Sequence, residues 1–423
     1  MNITLDLHTH SKYAGACSDK LTLENMEASA LEKGINILST GDFTHPMWKK
    51  EMESKLEGEN GVYHIKGSDT GVKFIVGAEV CTIFGDKDAG RGIFDTTGKV
   101  KKIHHLILSP SIAAAEAINS ALSSFGNLSL DGRPMLNMRA SELVEEVLAA
   151  SRDALIFPAH AWTPWYGVFG SFSGFDSIED AYEDQAKNIF AIESGLSSDP
   201  AMNWRISKLD KYAIISGSDA HSLPKLGREV TMLEMREMTF SGISDCIKKK
   251  KLSSTVEFYP EEGKYHFDGH RKCKVSMSPS EAKKYNNICP VCRKRITIGV
   301  LHRIEELADR DEGYMPKNAT PFVHAIPLME IISYISRKTA YSEYVRSTYL
   351  SFIKKFSTEL NVLLHASIEN LSEVDQGVAE AIRNIRGNRI RIEPGYDGVF
   401  GNLDMLNRDS YKPKPKQRTI SEF

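Results

Sequence analysis

The sequence predicts an α/β fold: a barrel-like first half, then a small zinc module and a helical C-terminal region. Three observations carry this. Apolar runs of strand length alternate with helical segments over the first 220 residues, metal-type side chains stand at the ends of nearly all of those runs, and three cysteines cluster between 273 and 292. Such alternation predicts a parallel sheet. About seven strands suggest a closed or nearly closed barrel more than a doubly wound sheet.

The strands are expected at Ile3–His8, Ile35–Gly41, Lys73–Cys81, Ile103–Ser109, Ala154–Ala159, Asn188–Glu193 and Tyr212–Gly217, each a short apolar run bounded by polar or turn residues. Helices are expected at Thr22–Lys33, Ile112–Ser123, Ser141–Ala150 and Pro200–Leu209. Thr22-Leu23-Glu24 and Ser141-Glu142 are suitable starts, because acids are favourable in a first turn. Lys248–Lys251 is a basic hinge that closes a first domain, 1–250. A module at 256–300 follows. Leu301–Arg310, His324–Arg337, Glu343–Leu360 and Glu373–Arg386 have helical apolar spacing and make a domain at 301–406. The rest, 407–423, contains Lys-Pro-Lys-Pro-Lys and reads as a disordered tail.

The formal net charge of −3 hides an asymmetry. Residues 1–255 hold 27 Lys and Arg against 34 Asp and Glu, net −7, and residues 256–423 hold 26 against 22, net +4. Acids that bind cations make the first part less negative than it looks. The basic second part suits a polyanion. Met1-Asn2-Ile3-Thr4 leads straight into a strand, so no signal peptide is expected. No membrane span is expected either. Cys17, Cys81 and Cys246 are scattered, which speaks against a disulfide framework and for a cytoplasmic, reducing compartment.

The strand ends collect the chemistry. His8 and His10 follow the first strand, Asp42 and His45 the second, and Glu79 lies on the third. His104 and His105 open the fourth, His160 follows the fifth, Glu193 ends the sixth, and Asp219 and His221 follow the seventh. Two His at i and i+2 on an extended segment share a face. A lone His in a strand is more often a core or surface residue; the joint placement is what points to metal. Imidazole and carboxylate mixtures suit Zn, Mn or Fe, and several carboxylates let two or three ions share ligands. Such ions polarise a phosphoryl oxygen and lower the pKa of a bound water to about 7, which serves phosphoester hydrolysis.

His270-x2-Cys273 and Cys289-x2-Cys292 have the spacing of two zinc knuckles, with His266 a nearby competitor. Arg271, Lys272, Lys274, Lys283, Lys284, Arg293, Lys294 and Arg295 surround them against one acid, Glu281. A charge run is usually a solvated face; beside a phosphoesterase site it suits a phosphate backbone. After His160 comes an aromatic loop with Trp162, Trp165, Tyr166, Phe169, Phe172 and Phe175. It either closes the barrel mouth as a small core or stacks on unpaired bases. Tyr396 and Asp397 sit in a Gly-bounded loop that serves a pocket or simply a turn. In the last seven residues, Gln417, Ile420 and Phe423 have the spacing of a sliding-clamp-binding peptide.

Asp-x-His-x-His at Asp6–His10, an Asp/His pair after strand two, Glu79, and Asp-x-His at Asp219–His221 resemble the polymerase-and-histidinol-phosphatase (PHP) superfamily. The resemblance implies a distorted (β/α)7 barrel with two or three divalent metals (Zn, Mn or Mg). Carried over, the metal ligands are His8, His10, Glu79, His105, His160, Asp219 and His221, with Asp19 and Asp42 added. Asp42-Phe43-Thr44-His45 departs from the usual Asp-His dipeptide, which leaves His45 as an alternative to Asp42. His104 and His105 point to opposite faces, so one of them is the ligand, and His105 is assigned. Asp219, His221 and Glu193 are expected to be catalytic. Asp6 is expected to orient a ligand from behind.

With the knuckles, Gly299–Arg310 and Pro394–Gly401, nearly the whole chain is similar to the endonuclease Q family. That resemblance implies a DNA repair endonuclease that incises 5′ of deaminated bases (uracil, hypoxanthine, xanthine) and abasic sites. The rim metals would activate hydroxide, one structural zinc would hold the module, and the tail would recruit a sliding clamp. The alternatives are a small-molecule phosphatase of the PHP superfamily, acting on histidinol phosphate or a nucleotide, and a non-catalytic DNA-binding adaptor.

Overall fold

The computed structural model describes residues 1–85, 100–172 and 174–406. The expected clamp peptide and tail at 407–423 lie outside those residues. All seven expected strands form: β1 (Asn2–Asp6), β2 (Ile37–Ser39), β3 (Lys73–Phe84), β4 (Lys101–Ser109), β5 (Leu155–Pro158), β6 (Ala191–Glu193) and β7 (Ala213–Ile215). The pairs β1–β2, β2–β3 and β6–β7 are parallel.

The expectation of a wholly parallel sheet is corrected at β4, which runs antiparallel to both β3 and β5. Its register places Leu106 opposite Glu79 and His104 opposite Cys81. The N-terminal end of β4 therefore lies beside the C-terminal half of β3. This is why the fourth strand carries its histidines at its start while the others carry theirs at their ends. Two further links complete the circuit of strands. Ala161 N donates to Glu193 O at 2.9 Å just beyond β5 and β6, and Thr9 bridges Ala220 just beyond β1 and β7. Both are single backbone contacts, and both gather at the end where the metal-type residues stand.

Alternation along each strand sorts the core. Leu5, Leu7, Ile75, Leu106, Leu108, Phe157 and Ile215 form one buried cluster on the inner face. Phe74, Val76, Ile103 and Ile107 face outward against the helices Leu23–Lys33, Ile112–Leu122 and Ala140–Ala150, through Met26, Ile118 and Leu143. Thr22 caps the first helix by accepting from Asn25 N. The helix expected from Ser141 starts one residue earlier, with the Glu142 carboxylate accepting from Arg139 N at 2.8 Å.

The sheet also crosses the boundary expected at 250. Strand β8 (Val230–Glu234) pairs antiparallel with β1, β9 (Ser254–Glu257) antiparallel with β8, and β10 (Phe322–His324) parallel with β9. Val256 and Val323 are buried, so these strands extend the core rather than link domains. Two expected helices are broken. Pro200–Leu209 divides into Pro200–Trp204 and a 3₁₀ turn at Ser207–Lys211. Glu343–Leu360 stops at Phe356, where Ser357 turns left-handed (φ 72°), and helix resumes at Glu359–Leu364. The helix expected from His324 starts at Leu328, after Pro327, and the last starts at Gln376 with Asp375 as its cap.

The helical region is fastened to the first helix, Leu23–Lys33, by a buried Lys33–Glu359 ion pair at 2.8 Å and by the bidentate Arg346–Glu32 contact at 2.9 and 2.7 Å. Among the described residues no helix is long and apolar enough to cross a membrane.

Candidate metal centre

At the strand ends, single ligand atoms of His8, His10, Glu79 and Asp219 all lie within 4.8 Å of one another, and so do those of Glu79, His104 and His160. Glu79 is shared. Its Oε1 lies 2.6 Å from His104 Nδ1 and 2.9 Å from His160 Nε2. Its Oε2 lies 3.3 Å from His10 Nε2 and 3.6 Å from His8 Nε2. Asp219 Oδ1 is 3.0 Å from His10 Nε2 and 3.5 Å from His8 Nε2. His8 Nε2 and Glu79 Oε2 are buried without a hydrogen-bond partner. Buried polar atoms without partners are costly. Here both are donor atoms for a metal, and they face each other.

The opposite nitrogens are held from behind. His8 Nδ1 donates to the Glu193 carboxylate at 2.9 and 3.0 Å, and His10 Nδ1 donates to Asp42 Oδ1 at 3.0 Å. His160 Nδ1 bonds Thr163 Oγ1 at 2.9 Å; that hydroxyl in turn donates to His160 O. Each arrangement fixes the tautomer that leaves Nε2 facing Glu79, as carboxylate–histidine–metal triads do. Backbone strain accompanies this geometry: Asp42, His160 and Asp219 have φ of 49°, 29° and 46°, left-handed values that non-glycine residues rarely adopt. Gly41 (φ 63°) packs so closely that a Cβ there would meet Thr9 O at 2.3 Å.

Burial penalises charge on His8, yet Glu193, Asp219 and Glu79 hold its pKa well above the usual value. His10 is raised in the same way, chiefly by Asp42. Against the same penalty, His104 and His8 keep Glu79 far below the usual carboxylate range, and His8 and His10 do so for Asp219. Protons thus balance the carboxylates, and a bound cation would displace them.

Several expected residues fall elsewhere. His105 is corrected to His104: His105 lies on the other face of the sheet, beside Thr82 of β3, bonding Thr82 Oγ1 at 2.9 Å and Tyr182 Oη at 2.8 Å, and burial pushes its pKa down to about 3. Asp42 turns its second oxygen to Ser11 N and Ser11 Oγ at 2.6 and 2.7 Å, so it orients His10 rather than joining either group. His45 stacks on Tyr13 at 4.5 Å, outside both groups. Asp19 is exposed, on the loop whose Ser18 N donates to His221 O at 2.9 Å. His221 is also outside both groups, but its ring is 4.8 Å from that of His10, and its Nδ1 donates to Asp219 O at 2.9 Å.

Glu193, expected to be catalytic, is buried, and its carboxylate is engaged by His8 and by His160 N at 2.7 Å. Asp6 accepts from Ser218 N and Gly227 N, both at 2.9 Å, and so holds the two ends of the loop that carries Asp219. Arg228 completes that loop by donating to Ser218 O and Asp219 O. Arg228 was not legible in the sequence, since it belongs to no motif.

Of the stacking candidates, Trp162 is buried and donates to Asn203 Oδ1 at 2.8 Å, so it belongs to the core. Tyr166 lies over His104 with ring centres 4.4 Å apart. Trp165 and Phe172, both exposed, stack in parallel at 4.4 Å. Tyr396 packs against Gly269, and Asp397 ties its loop to the module by accepting from Arg271 N and Thr297 Oγ1.

In the module, ligand atoms of His270, Cys273, Cys289 and Cys292 lie within 4.8 Å of one another. His266 is buried outside this group, its ring against Phe267. Although burial opposes it, the backbone N–H groups of Cys292 and Val291 bring the Cys289 thiol down to about 6. A thiolate is the form that binds zinc. All eight basic residues predicted to bind DNA, Arg271, Lys272, Lys274, Lys283, Lys284, Arg293, Lys294 and Arg295, are exposed.

Comparison with known proteins agrees with this architecture. Residues 327–389 match the family model of the MJ0043 C-terminal domain. The chain is 37% identical over 262 residues to protein MJ0043 of Methanocaldococcus jannaschii, covering 60% of this chain and 32% of that one, so it spans about a third of that relative's length. It is 27% identical over 425 residues to YqxK of Bacillus subtilis strain 168, covering 95% and 99% of the two chains. The crystal structure of the lesion-specific endonuclease PfuEndoQ from Pyrococcus furiosus superposes with a TM-score of 0.83 at 33% identity, covering 95% of each chain. Endonuclease Q in complex with a 27-mer duplex substrate carrying an abasic lesion at the active site gives 0.83 at 32% identity, over 95% of this chain and 96% of that one. With one residue in three shared over nearly the full length of both chains, and the same fold throughout, this chain belongs to the endonuclease Q family.

Proposed function

We propose that this protein is a metal-dependent DNA repair endonuclease that hydrolyses the phosphodiester 5′ of deaminated bases and abasic sites. The observation that carries it is the pair of facing, unpartnered donors, His8 Nε2 and Glu79 Oε2, inside a ring of donors whose other ends are held. On this reading the strand circuit is a distorted (β/α)7 barrel. His8, His10, Glu79 and Asp219 would hold one divalent ion, and Glu79, His104 and His160 would hold a second. Ions there would supply Lewis acidity and a water acidified toward neutral pH. Glu193 and Asp42 keep His8 and His10 in the ligating tautomer, and Asp6 and Arg228 fix the Asp219 backbone. The zinc module, with its exposed Lys and Arg, grips the DNA backbone in a salt-dependent manner. Recruitment by a sliding clamp through Gln417, Ile420 and Phe423 belongs to the same proposal.

The test is nicking of an end-labelled duplex that carries one abasic site or one uracil, with Mn²⁺ or Zn²⁺. Asp219→Asn and His8→Ala should abolish it. Hydrolysis of histidinol phosphate with no nicking of any duplex would overturn the reading in favour of a small-molecule phosphatase.

A further inference from the structure

The loop Ser129–Pro134, between the helices Ile112–Leu122 and Ala140–Ala150, reaches the metal centre from outside the motifs. Asp131 Oδ1 accepts from Arg133 N at 2.9 Å and from Gly15 N at 3.1 Å. Gly132 N donates to Tyr13 O, and Gly132 O accepts from Thr44 Oγ1 at 3.2 Å. A Cβ on Gly132 would meet the Asp42 carboxylate at 2.6 Å. Cys81 N donates to Pro134 O at 3.0 Å, two residues past Glu79. The loop is therefore locked to the segments that carry His10, Asp42 and Glu79, and it delivers one side chain to the rim.

That side chain is Arg133. One of its nitrogens, Nη2, donates to Gly15 O at 3.1 Å. Another, Nη1, stands 3.8 Å from Glu79 Oε2, too far for a hydrogen bond. The side chain is 24% exposed, so part of it is open to solvent beside Glu79. A guanidinium is always charged and has five donors in a planar fork. Glu79 Oε2 is also the oxygen that a metal would claim, which would leave Arg133 facing a divalent cation. Two positive groups so close repel each other unless an anion comes between them.

We propose that Arg133 is the residue that grips the substrate phosphate, donating to a non-bridging oxygen of the group held at the metals. This rests on the metal-dependent hydrolysis proposed above. The guanidinium aligns the phosphate and neutralises charge as the transition state forms, and it forms no covalent bond.

The experiment measures inorganic phosphate binding by calorimetry and duplex nicking, both on metal-loaded protein, with metal content determined for each variant. Arg133→Ala should keep its metal, bind phosphate at least tenfold more weakly and nick about a hundredfold more slowly. Arg133→Lys should recover part of both, and added guanidinium ion should raise the rate of Arg133→Ala alone. Lys12→Ala is the control: it removes a cation that is already paired with Glu51 at 2.8 Å and should change neither quantity. Unaltered phosphate binding and nicking in Arg133→Ala would overturn the proposal. So would loss of metal from Arg133→Ala, because the residue would then serve only to balance the carboxylates. If wild-type protein binds phosphate through Arg133 yet nicks no duplex, the phosphate grip stands and the DNA reading fails.

Discussion

One carboxylate, that of Glu193, holds both His8 Nδ1, at 2.9 Å, and the backbone N–H of His160, at 2.7 Å. These are parts of the two different ligand groups that meet at Glu79. Glu193→Ala should therefore loosen both at once. Metal affinity should fall about tenfold to a hundredfold, as when other residues behind a ligand are removed. Competition with a chromophoric chelator measures this. Wild-type affinity in Glu193→Ala would show that the histidines need no support.

The two adjacent histidines of β4 make a sharper contrast. His104→Ala should reduce metal content while the fold stays intact. His105→Ala should keep its metal and instead lose about 1–3 kcal/mol of stability, since it strands the Tyr182 hydroxyl in the core. Elemental analysis and a urea titration of the two variants check this. Metal loss from His105→Ala with His104→Ala unaffected would reverse the assignment.

A buried acid pair beneath β7 sets a pH dependence. Burial pushes Glu257 up to about 7, despite hydroxyl donation from Thr255, Ser194 and Ser216, and Glu229 beside it is raised as well. The ordinary value is 4.5, so the folded chain keeps a proton that the unfolded chain releases. Stability from this group is complete below about pH 4.5 and is lost as pH rises through about 7. Glu257→Gln should therefore stabilise the protein at pH 8, by on the order of 3 kcal/mol. It should do little at pH 4.5. Equal effects of the substitution at the two pH values would exclude titration as the cause.

The parallel stack of Trp165 on Phe172 offers an exposed aromatic face on the loop that follows His160. Trp165→Ala should weaken binding to a lesion duplex by about 1–3 kcal/mol, the usual worth of one stacked base. Fluorescence anisotropy at fixed salt measures it. An intact-duplex affinity that falls by the same factor would assign the stack to the fold rather than to an unpaired base.

Removing zinc should unravel the module around Cys289 while the strand circuit persists. From protein loaded with Mn²⁺ at the strand ends, a chelator should release one zinc, abolish the protection of 266–298 from protease and leave the helices packed on the strand circuit in place. Coincident loss of both would show that the module and the strand circuit fold as one unit.

Much of this was legible in the sequence because buried strands announce themselves as short apolar runs. All seven were found, and with them five side chains that the fold brings together at the candidate centre, His8, His10, Glu79, His160 and Asp219. The direction of β4 was not legible, because an apolar run carries no sign of which way it points. Its register against β3, equally hidden, decided His104 over His105. Once β4 is antiparallel to β3, the residue opposite Cys81 shares the face of Glu79, and that residue is His104. The roles of Asp42 and Glu193 were hidden for a related reason: a motif names residue types near a metal but not which of their atoms face it. Arg133 was invisible because only the closure of a distant loop brings it to the rim.

Glu79 has a consequence for how this protein tolerates mutation. Loss of His104 or of His10 subtracts a donor from one group, whereas loss of Glu79 subtracts one from both. Even the shortest change, Glu79→Asp, withdraws the carboxylate by one methylene and cannot reach His160 on one side and His10 on the other. Position 79 is thus where a single substitution takes most from the candidate centre.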